Sequence, residues 1–89
     1  MGRKLTFTDT GWTDYVHWQR EDRQILRKIN RLIEDIRRQG NAEGIGKPEP
    51  LRQILSGWWS RRIDNEHRIV YRADDDSVTV IACRGHYDD

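Results

Sequence analysis

Apolar residues recur at two spacings along the chain, and the change of spacing predicts where strands give way to helices. Residues 4–8 alternate between polar and apolar side chains, which predicts a short first strand. Trp12, Tyr15 and Val16 then follow at helical spacing, after residues 8–10, which are of the types that cap helices. We therefore expect a strand and a short helix whose apolar face, with Trp12 and Tyr15, packs on the core.

A second, longer helix is predicted between Asp22, a suitable N-cap, and Gly40, a suitable end residue. Its apolar residues form one continuous stripe: Ile25, Leu26, Ile29, Leu32, Ile33 and Ile36. Mostly basic residues lie between them, so the outer face of this helix is either simply solvated or contacts phosphate groups.

The C-terminal part contains strand-like runs at residues 58–63, 67–73 and 77–86, separated by short polar turns. Strand, helix, helix and then a meander of strands predict an α+β fold. Two N-terminal helices would pack on one face of a small, largely antiparallel sheet. The 89 residues allow one core, so we expect a single domain over residues 1–89.

The two turns decide which side chains share a face of the sheet. If both are three-residue loops, Arg62 lies opposite Arg68, and Arg68 lies opposite Ala82, on the same face as Arg84 and His86. The face under the helices then receives apolar residues: Ile63, Ile69, Tyr71, Ile81 and Cys83.

Like charges that face each other across strands are destabilising unless an anion lies between them. For the two facing arginines, that anion is either a bound phosphate or a carboxylate of the chain, from Glu49, Asp64 or Glu66.

The loop before the third strand run presents a carboxylate on stiff backbone, because Pro48 and Pro50 bracket Glu49. A carboxylate, a histidine and arginines suit cleavage of RNA by its own 2′-hydroxyl group. Glu49 is the candidate base and His86 the candidate acid. The other candidates are Arg62 and Arg68 as phosphate clamps and Tyr87 for base stacking or proton orientation.

Composition narrows the class of protein further. The formal net charge of +1 excludes strong bulk attraction to polyanions but permits a basic face. Cys83 is the only cysteine, which rules out an internal disulfide and suits a reducing compartment. Because no leader or long apolar run is present, we expect a cytoplasmic protein with no membrane contact. The histidines have no ligand spacing with Cys83, so we expect no metal and no cofactor.

Several blocks of sequence together resemble a known family. They include Trp18-Gln19, Gly46-Lys47-Pro48-Glu49-Pro50-Leu51, Leu55-Ser56-Gly57, Trp59-Ser60-Arg61-Arg62-Ile63, Glu66-His67-Arg68-Ile69-Val70-Tyr71, Ala82-Cys83-Arg84 and His86-Tyr87. In this order and spacing they resemble the YoeB (Txe) toxins, which belong to the RelE-like mRNA interferases of bacterial toxin–antitoxin pairs. The resemblance covers nearly the whole chain.

This resemblance implies a type II toxin that cleaves mRNA in the decoding site of the 70S ribosome and so inhibits translation. The family's general base falls on Glu49, its general acid on His86 and its transition-state arginine on Arg68. Arg62 matches a second active-site arginine and Tyr87 the tyrosine beside the acid. We also expect Lys47, Arg52, Arg61 and Arg84 to bind RNA. The implied protein partners are a YefM-like antitoxin and a second copy of the chain.

Two features depart from the family pattern. Arg52 stands where the family has lysine, which keeps the charge and changes the donor geometry. Asp88 and Asp89 follow the His-Tyr pair, where family members often end, and two carboxylates near a phosphate site would repel substrate modestly.

The residues also permit other functions. A non-catalytic module that binds RNA or the ribosome would need the cations and not the pair of Glu49 and His86. A DNA-binding autoregulator is disfavoured, because the net charge is near zero and no recognition-helix pattern is present.

Overall fold

The computed structural model describes residues 2–86. Its elements in chain order are β1 (Lys4–Phe7), α1 (Asp9–Glu21), α2 (Arg23–Gln39), β2 (Glu49–Pro50), a 3₁₀ turn (Gln53–Leu55), β3 (Trp59–Arg62), β4 (Arg68–Ala73) and β5 (Ser77–Ala82). The strands form one sheet in the order β1-β5-β4-β3-β2, in which β1 runs parallel to β5 and the other pairs are antiparallel. The predicted α+β architecture is confirmed. Tyr87, Asp88 and Asp89 lie outside the described residues, so the expectations for them stay predictions.

Side-chain caps define both helices. The Thr8 hydroxyl accepts a hydrogen bond from the Gly11 amide at 3.2 Å and starts α1. The Asp22 carboxylate accepts from the amides of Gln24 and Ile25 at 3.0 and 3.1 Å and starts α2, as predicted. The second helix ends at Gly40, also as predicted. Neither helix in residues 2–86 is long and apolar enough to cross a membrane.

The apolar stripe of α2 forms the main core with the sheet. Its buried members are Ile29, Leu32, Ile33 and Ile36, and they cluster with Trp18, Ile63, Ile69, Tyr71, Val78, Val80 and Cys83. Burying large aliphatic side chains contributes roughly 1.5–3 kcal/mol each, so this stripe is the main source of stability on that side of the sheet.

The prediction that Trp12 packs into the core is wrong. The first helix turns Gly11 and Trp18 to the sheet, and Gly11 lies so close to the Val80 carbonyl that a Cβ would overlap it. Trp12 is left 52% exposed. Its ring instead contacts the ring of Phe7 at the surface, with a centroid separation of 5.6 Å.

The sheet register is partly as predicted. Arg62 lies opposite Arg68, so the loop after β3 has the predicted length. Ala82 lies opposite Val70 and not Arg68, for two reasons. Ala73 pairs with Val78 and not with Ser77, so the predicted register at the turn after β4 is wrong by one residue. A bulge between Val70, which faces Ala82, and Tyr71, which faces Val80, then shifts the pairing by one further residue.

The bulge also changes which residues face the helices. One extra residue, Ile81, reverses the alternation of β5. Val78 and Val80 therefore face the helices, whereas Ile81 joins a small apolar cluster with Leu51, Val70 and Ala82. The predicted placement of Ile81 under the helices is wrong, and β5 ends at Ala82 rather than at His86.

Candidate functional site

The face of the sheet away from the helices carries the candidate site. Glu49 on β2 lies opposite Ser60 on β3, and Ser60 lies opposite Val70 on β4. Two residues further along β3, Arg62 lies opposite Arg68 of β4. The register therefore places a carboxylate, a hydroxyl and two guanidinium groups on adjoining positions of one face.

Arg68 is the most constrained member of this group. Its Nε donates a hydrogen bond to the Ser60 hydroxyl at 3.0 Å, and its Nη2 lies 3.5 Å from Glu49 Oε1. The Arg68 side chain is 9% exposed and that of Glu49 is 59% exposed. Nη2 is buried and makes no hydrogen bond within residues 2–86. Arg68 thus keeps hydrogen-bonding capacity beside an accessible carboxylate.

The structure shows which carboxylate of the chain lies near the two facing arginines, Arg62 and Arg68. Of the three carboxylates considered, Glu49 forms an ion pair with Arg68. Asp64 instead accepts hydrogen bonds from the amides of Glu66 and His67 at 2.8 and 2.7 Å. Arg62 is exposed on the same face.

His86 follows directly on a segment that is bonded to the start of β4. The Gly85 carbonyl accepts a hydrogen bond from the Arg68 amide at 2.9 Å, and His86 itself is exposed. The structure thus brings the segment that carries His86 to the end of β4 where Arg68 and Glu49 meet.

The structure contradicts the role in RNA binding that was predicted for Arg61. Its side chain is 0% exposed and forms an ion pair with Asp35 of α2 at 2.6 Å. Its Nε donates to the Tyr71 hydroxyl at 2.8 Å. Its other nitrogens donate to the carbonyls of Gly40, Glu43 and Ile45. Arg61 therefore binds the loop that leads from α2 towards Glu49 and has no surface left for RNA.

The charge of Asp35 is maintained despite its burial. Burial by itself would raise the pKa of this carboxyl group. The hydrogen bond from the Ile45 amide and the hydrogen bond and charge of Arg61 outweigh that effect, so the pKa of Asp35 lies below its usual value.

The other cations predicted to bind RNA are accessible. Lys47, Arg52 and Arg84 are all exposed. Arg84 lies beside α1, with its Nη1 3.5 Å from His17 Nδ1, and not on a regular strand beside Arg68. Their contacts with RNA stay predictions.

Cys83 has the properties of a core residue, as its position in the sequence indicated. Burial and the charge of Asp14 raise the pKa of its thiol to about 12, so a reactive thiolate is not available near neutral pH. Within residues 2–86, no three His, Cys, Asp or Glu side chains are grouped so that they could hold a metal ion.

Two polar residues of the site were missed by the sequence reasoning. Ser60 accepts a hydrogen bond from Arg68. The sequence indicated its position, because Ser60 is two residues from Arg62 and therefore lies on the same face of the strand. His67 accepts a hydrogen bond from the Gly85 amide at 2.9 Å. No sequence spacing connects His67 with Gly85.

Comparison with known proteins agrees with this architecture. The family model for a YoeB-like toxin of a bacterial type II toxin–antitoxin system matches residues 7–87. A toxin YoeB of Escherichia coli K12 is 55% identical over 84 residues, which are 94% of this chain and 99% of that protein.

Two solved structures from Staphylococcus aureus are also similar. A YoeB dimer has a TM-score of 0.91 and 42% identity, with coverage of 98% of this chain and 100% of that chain. A YoeB–YefM complex has a TM-score of 0.88 and 41% identity, with the same coverage. The class of protein is therefore a toxin of bacterial type II toxin–antitoxin systems. Within that class, the chain belongs to the YoeB-like family.

Proposed function

We propose that this toxin is an endoribonuclease that cleaves mRNA on the ribosome, with the RNA's own 2′-hydroxyl as the nucleophile. The observation that carries the proposal is the exposed Glu49 carboxylate beside a buried Arg68 guanidinium. A base and a phosphate-binding cation are the two groups that activation of a 2′-hydroxyl next to a phosphate requires.

In the proposed reaction, Glu49 removes the proton from the 2′-hydroxyl group. The 2′-oxygen then attacks the adjacent phosphorus, and the bond from phosphorus to the 5′-oxygen breaks. His86 donates a proton to that departing 5′-oxygen, and the upstream RNA fragment keeps a 2′,3′-cyclic phosphate. Tyr87 would orient this proton donor or stack on a base.

The arginines would stabilise the charge that develops on the phosphate oxygens. The Arg68 Nη2, which makes no hydrogen bond within residues 2–86, can donate one to a phosphate oxygen. The exposed Arg62 faces Arg68 and would contact the same phosphate from the other side. Because Ser60 holds Nε, the guanidinium is already oriented before substrate arrives, which lowers the reorganisation that catalysis needs.

Binding to the ribosome would use the remaining exposed cations. Lys47, Arg52 and Arg84 are exposed, and the outer face of α2 carries further exposed arginines. A formal net charge of +1 means that affinity for RNA depends on these local clusters rather than on the whole molecule. An enzyme that acts on translating ribosomes would work in the cytoplasm.

We further propose a YefM-like antitoxin and a second copy of the chain as protein partners. The support is that the similar Staphylococcus aureus proteins were solved as a YoeB–YefM complex and as a YoeB dimer. Sedimentation of the purified chain, alone and mixed with its antitoxin, tests both assemblies.

The test of the chemistry is primer-extension mapping of an mRNA translated in a reconstituted system. Wild type should produce discrete cuts in the coding region, and both Glu49→Gln and His86→Ala should abolish them. Glu21→Gln, which alters an exposed glutamate at the end of α1, is the matched control and should cut like wild type. Translation arrest without cuts, unchanged in both variants, would mean a non-catalytic ribosome-binding inhibitor. Cuts that survive both substitutions would show that the assignment of the acid and the base is wrong.

A further inference from the structure

The backbone just before His86 is held by several hydrogen bonds although it follows the last strand. The Cys83 amide donates to Asp14 Oδ2 at 3.0 Å, and the Cys83 carbonyl accepts from Trp18 Nε1 at 2.8 Å. Both of these partners belong to α1. Two residues on, the Gly85 carbonyl accepts from the Arg68 amide at 2.9 Å. The segment is therefore anchored to α1 at one end and to β4 at the other.

A further anchor of the Gly85 backbone is the imidazole of His67. Its Nδ1 accepts a hydrogen bond from the Gly85 amide at 2.9 Å. Because an amide can only donate, Nδ1 carries no proton in this arrangement, and the proton of the neutral ring is on Nε2. Glu66 Oε1 lies 3.7 Å from that Nε2.

The ring of His67 is itself held in place. Its side chain is 13% exposed, and the ring packs edge-on against Trp18 at a centroid separation of 4.7 Å. The His67 amide donates to Asp64 Oδ1 at 2.7 Å, and its carbonyl accepts from the Ile63 amide at 2.9 Å. Because packing and the hydrogen bonds of its own backbone hold the His67 ring in place, the ring is suited to restrain the segment at Gly85.

Gly85 explains why such an anchor is needed. Its φ is +94°, a conformation that glycine adopts readily and other residues rarely. A Cβ at this position would meet nothing within 4 Å, so there is open space on that side of the residue. Without the bond to His67, the Gly85 carbonyl would still be held by the Arg68 amide, but the peptide group between Arg84 and Gly85 would lose this restraint, and its rotation would shift His86.

We propose that His67 is a positioning residue, which orients His86 through the Gly85 amide without touching the substrate. The proposal rests on the proposed role of His86 as the general acid. A general acid must lie within hydrogen-bond distance of the leaving oxygen. Misplacement by about 1 Å can lower a rate by roughly 100-fold. His67 would thus act on the rate of the chemical step and not on the binding of the ribosome.

The test compares two substitutions of similar size by single-turnover cleavage of ribosome-bound mRNA. His67→Leu removes the acceptor, and His67→Asn keeps an oxygen near the position of Nδ1. We expect His67→Leu to lower the rate constant roughly 10- to 100-fold, with half-saturation by ribosomes unchanged, and His67→Asn to restore most of that rate. Equal losses in both variants, or a loss confined to ribosome affinity, would overturn the proposal.

A double-mutant cycle links the effect to His86. In the His86→Ala background, the residual cleavage rate measured over long single-turnover reactions should not fall further on His67→Leu, because the group that it positions is gone. A further loss of similar size would show that His67 acts elsewhere and would overturn the proposal.

Hydrogen exchange of the Gly85 amide separates this proposal from the proposed function. If His86→Ala alone cleaves like wild type, the assignment of the acid fails while the anchor can still exist. Exchange should be faster in His67→Leu than in wild type and close to wild type in His67→Asn. Unchanged exchange in His67→Leu would overturn the anchor whatever the chemistry.

Discussion

Arg68 and Glu49 pair across a strand that lies between them. The two residues are on β4 and β2, β3 separates these strands in the sheet, and yet Nη2 and Oε1 are 3.5 Å apart. The residue beneath the pair is Ser60, which lies opposite Glu49 and accepts a hydrogen bond from Arg68 Nε. A small hydroxyl residue at this position therefore leaves room for the pair and also orients one of its members.

Ser60→Ala should lower cleavage without preventing folding. The substitution removes the acceptor of Arg68 Nε, and a hydrogen bond to a charged group is worth about 1.5–3 kcal/mol. Since 1.36 kcal/mol corresponds to a factor of ten in rate, we expect a loss of roughly 10- to 100-fold in single-turnover cleavage. Ser56→Ala, at an exposed serine that follows the 3₁₀ turn, is the control and should cleave like wild type. Equal activity of both variants would show that Arg68 does not depend on Ser60.

The buried pair of Arg61 and Asp35 should dominate electrostatic stability. Breaking a buried ion pair by removing one partner typically costs about 3–5 kcal/mol, because the other charge stays buried. Arg61→Met should therefore lower the free energy of unfolding by about that amount, as measured by urea denaturation. The control is Glu34→Gln, which breaks the exposed pair with Arg37 and should cost no more than about 1 kcal/mol. Similar losses in both variants would contradict this account.

Acid should destabilise the protein through the same carboxylate. The pKa of Asp35 is lowered from its ordinary value of 3.8 in the folded chain, so in that pH range the unfolded chain binds more protons. Its contribution to stability is therefore complete only above about pH 5 and is lost as the pH falls through the lowered pKa. Asp74, whose pKa is lowered by hydrogen bonds from the amides of Asp76 and Ser77, acts in the same direction. Denaturation curves at fixed ionic strength should show stability falling as the pH is lowered below about 4. A constant or rising stability there would contradict the prediction.

Two glycine substitutions test how closely the backbone approaches the ion pair of Arg61 and Asp35. Gly44 has a φ of +120°, and a Cβ there would collide with Asp35 Oδ2 and lie 2.7 Å from Arg61 Nη1. Gly57 has a φ of +94° and would meet nothing within 4 Å. Gly57→Ala should cost only backbone strain, about 1–2 kcal/mol. Gly44→Ala adds displacement of the ion pair and should cost at least about 3 kcal/mol. Equal changes in thermal and urea stability would show that the loop can move aside.

The helices could be predicted from the sequence because local signals determine them. Asp22 and Gly40 carry the end signals of α2, and its apolar stripe has an unbroken helical period. The pairing of Arg62 with Arg68 was predictable for a similar reason, since the loop length sets the register of a hairpin.

The failures concern features that depend on distant residues. The bulge at Ile81 inserts one unpaired residue, and no local pattern indicates it. Arg61 was predicted to bind RNA, although the sequence carried a signal against it. If Arg62 faces away from the helices, its neighbour must face towards them, and Asp35 on α2 is the charge that makes such burial possible.

The central claim is that the RNA's own 2′-hydroxyl group is the nucleophile, and the most direct test is to remove that one oxygen atom from the substrate. Once a cut has been mapped, an mRNA is prepared with 2′-deoxyribose at the nucleotide whose 2′-hydroxyl would attack, and it is translated in the same reconstituted system. The account predicts that wild-type toxin no longer cuts at this position, whereas an unmodified mRNA and one with the deoxy substitution several codons away are still cut there. Undiminished cleavage of the modified mRNA would show that the 2′-hydroxyl is not the nucleophile, and would contradict the roles proposed for Glu49 and His86.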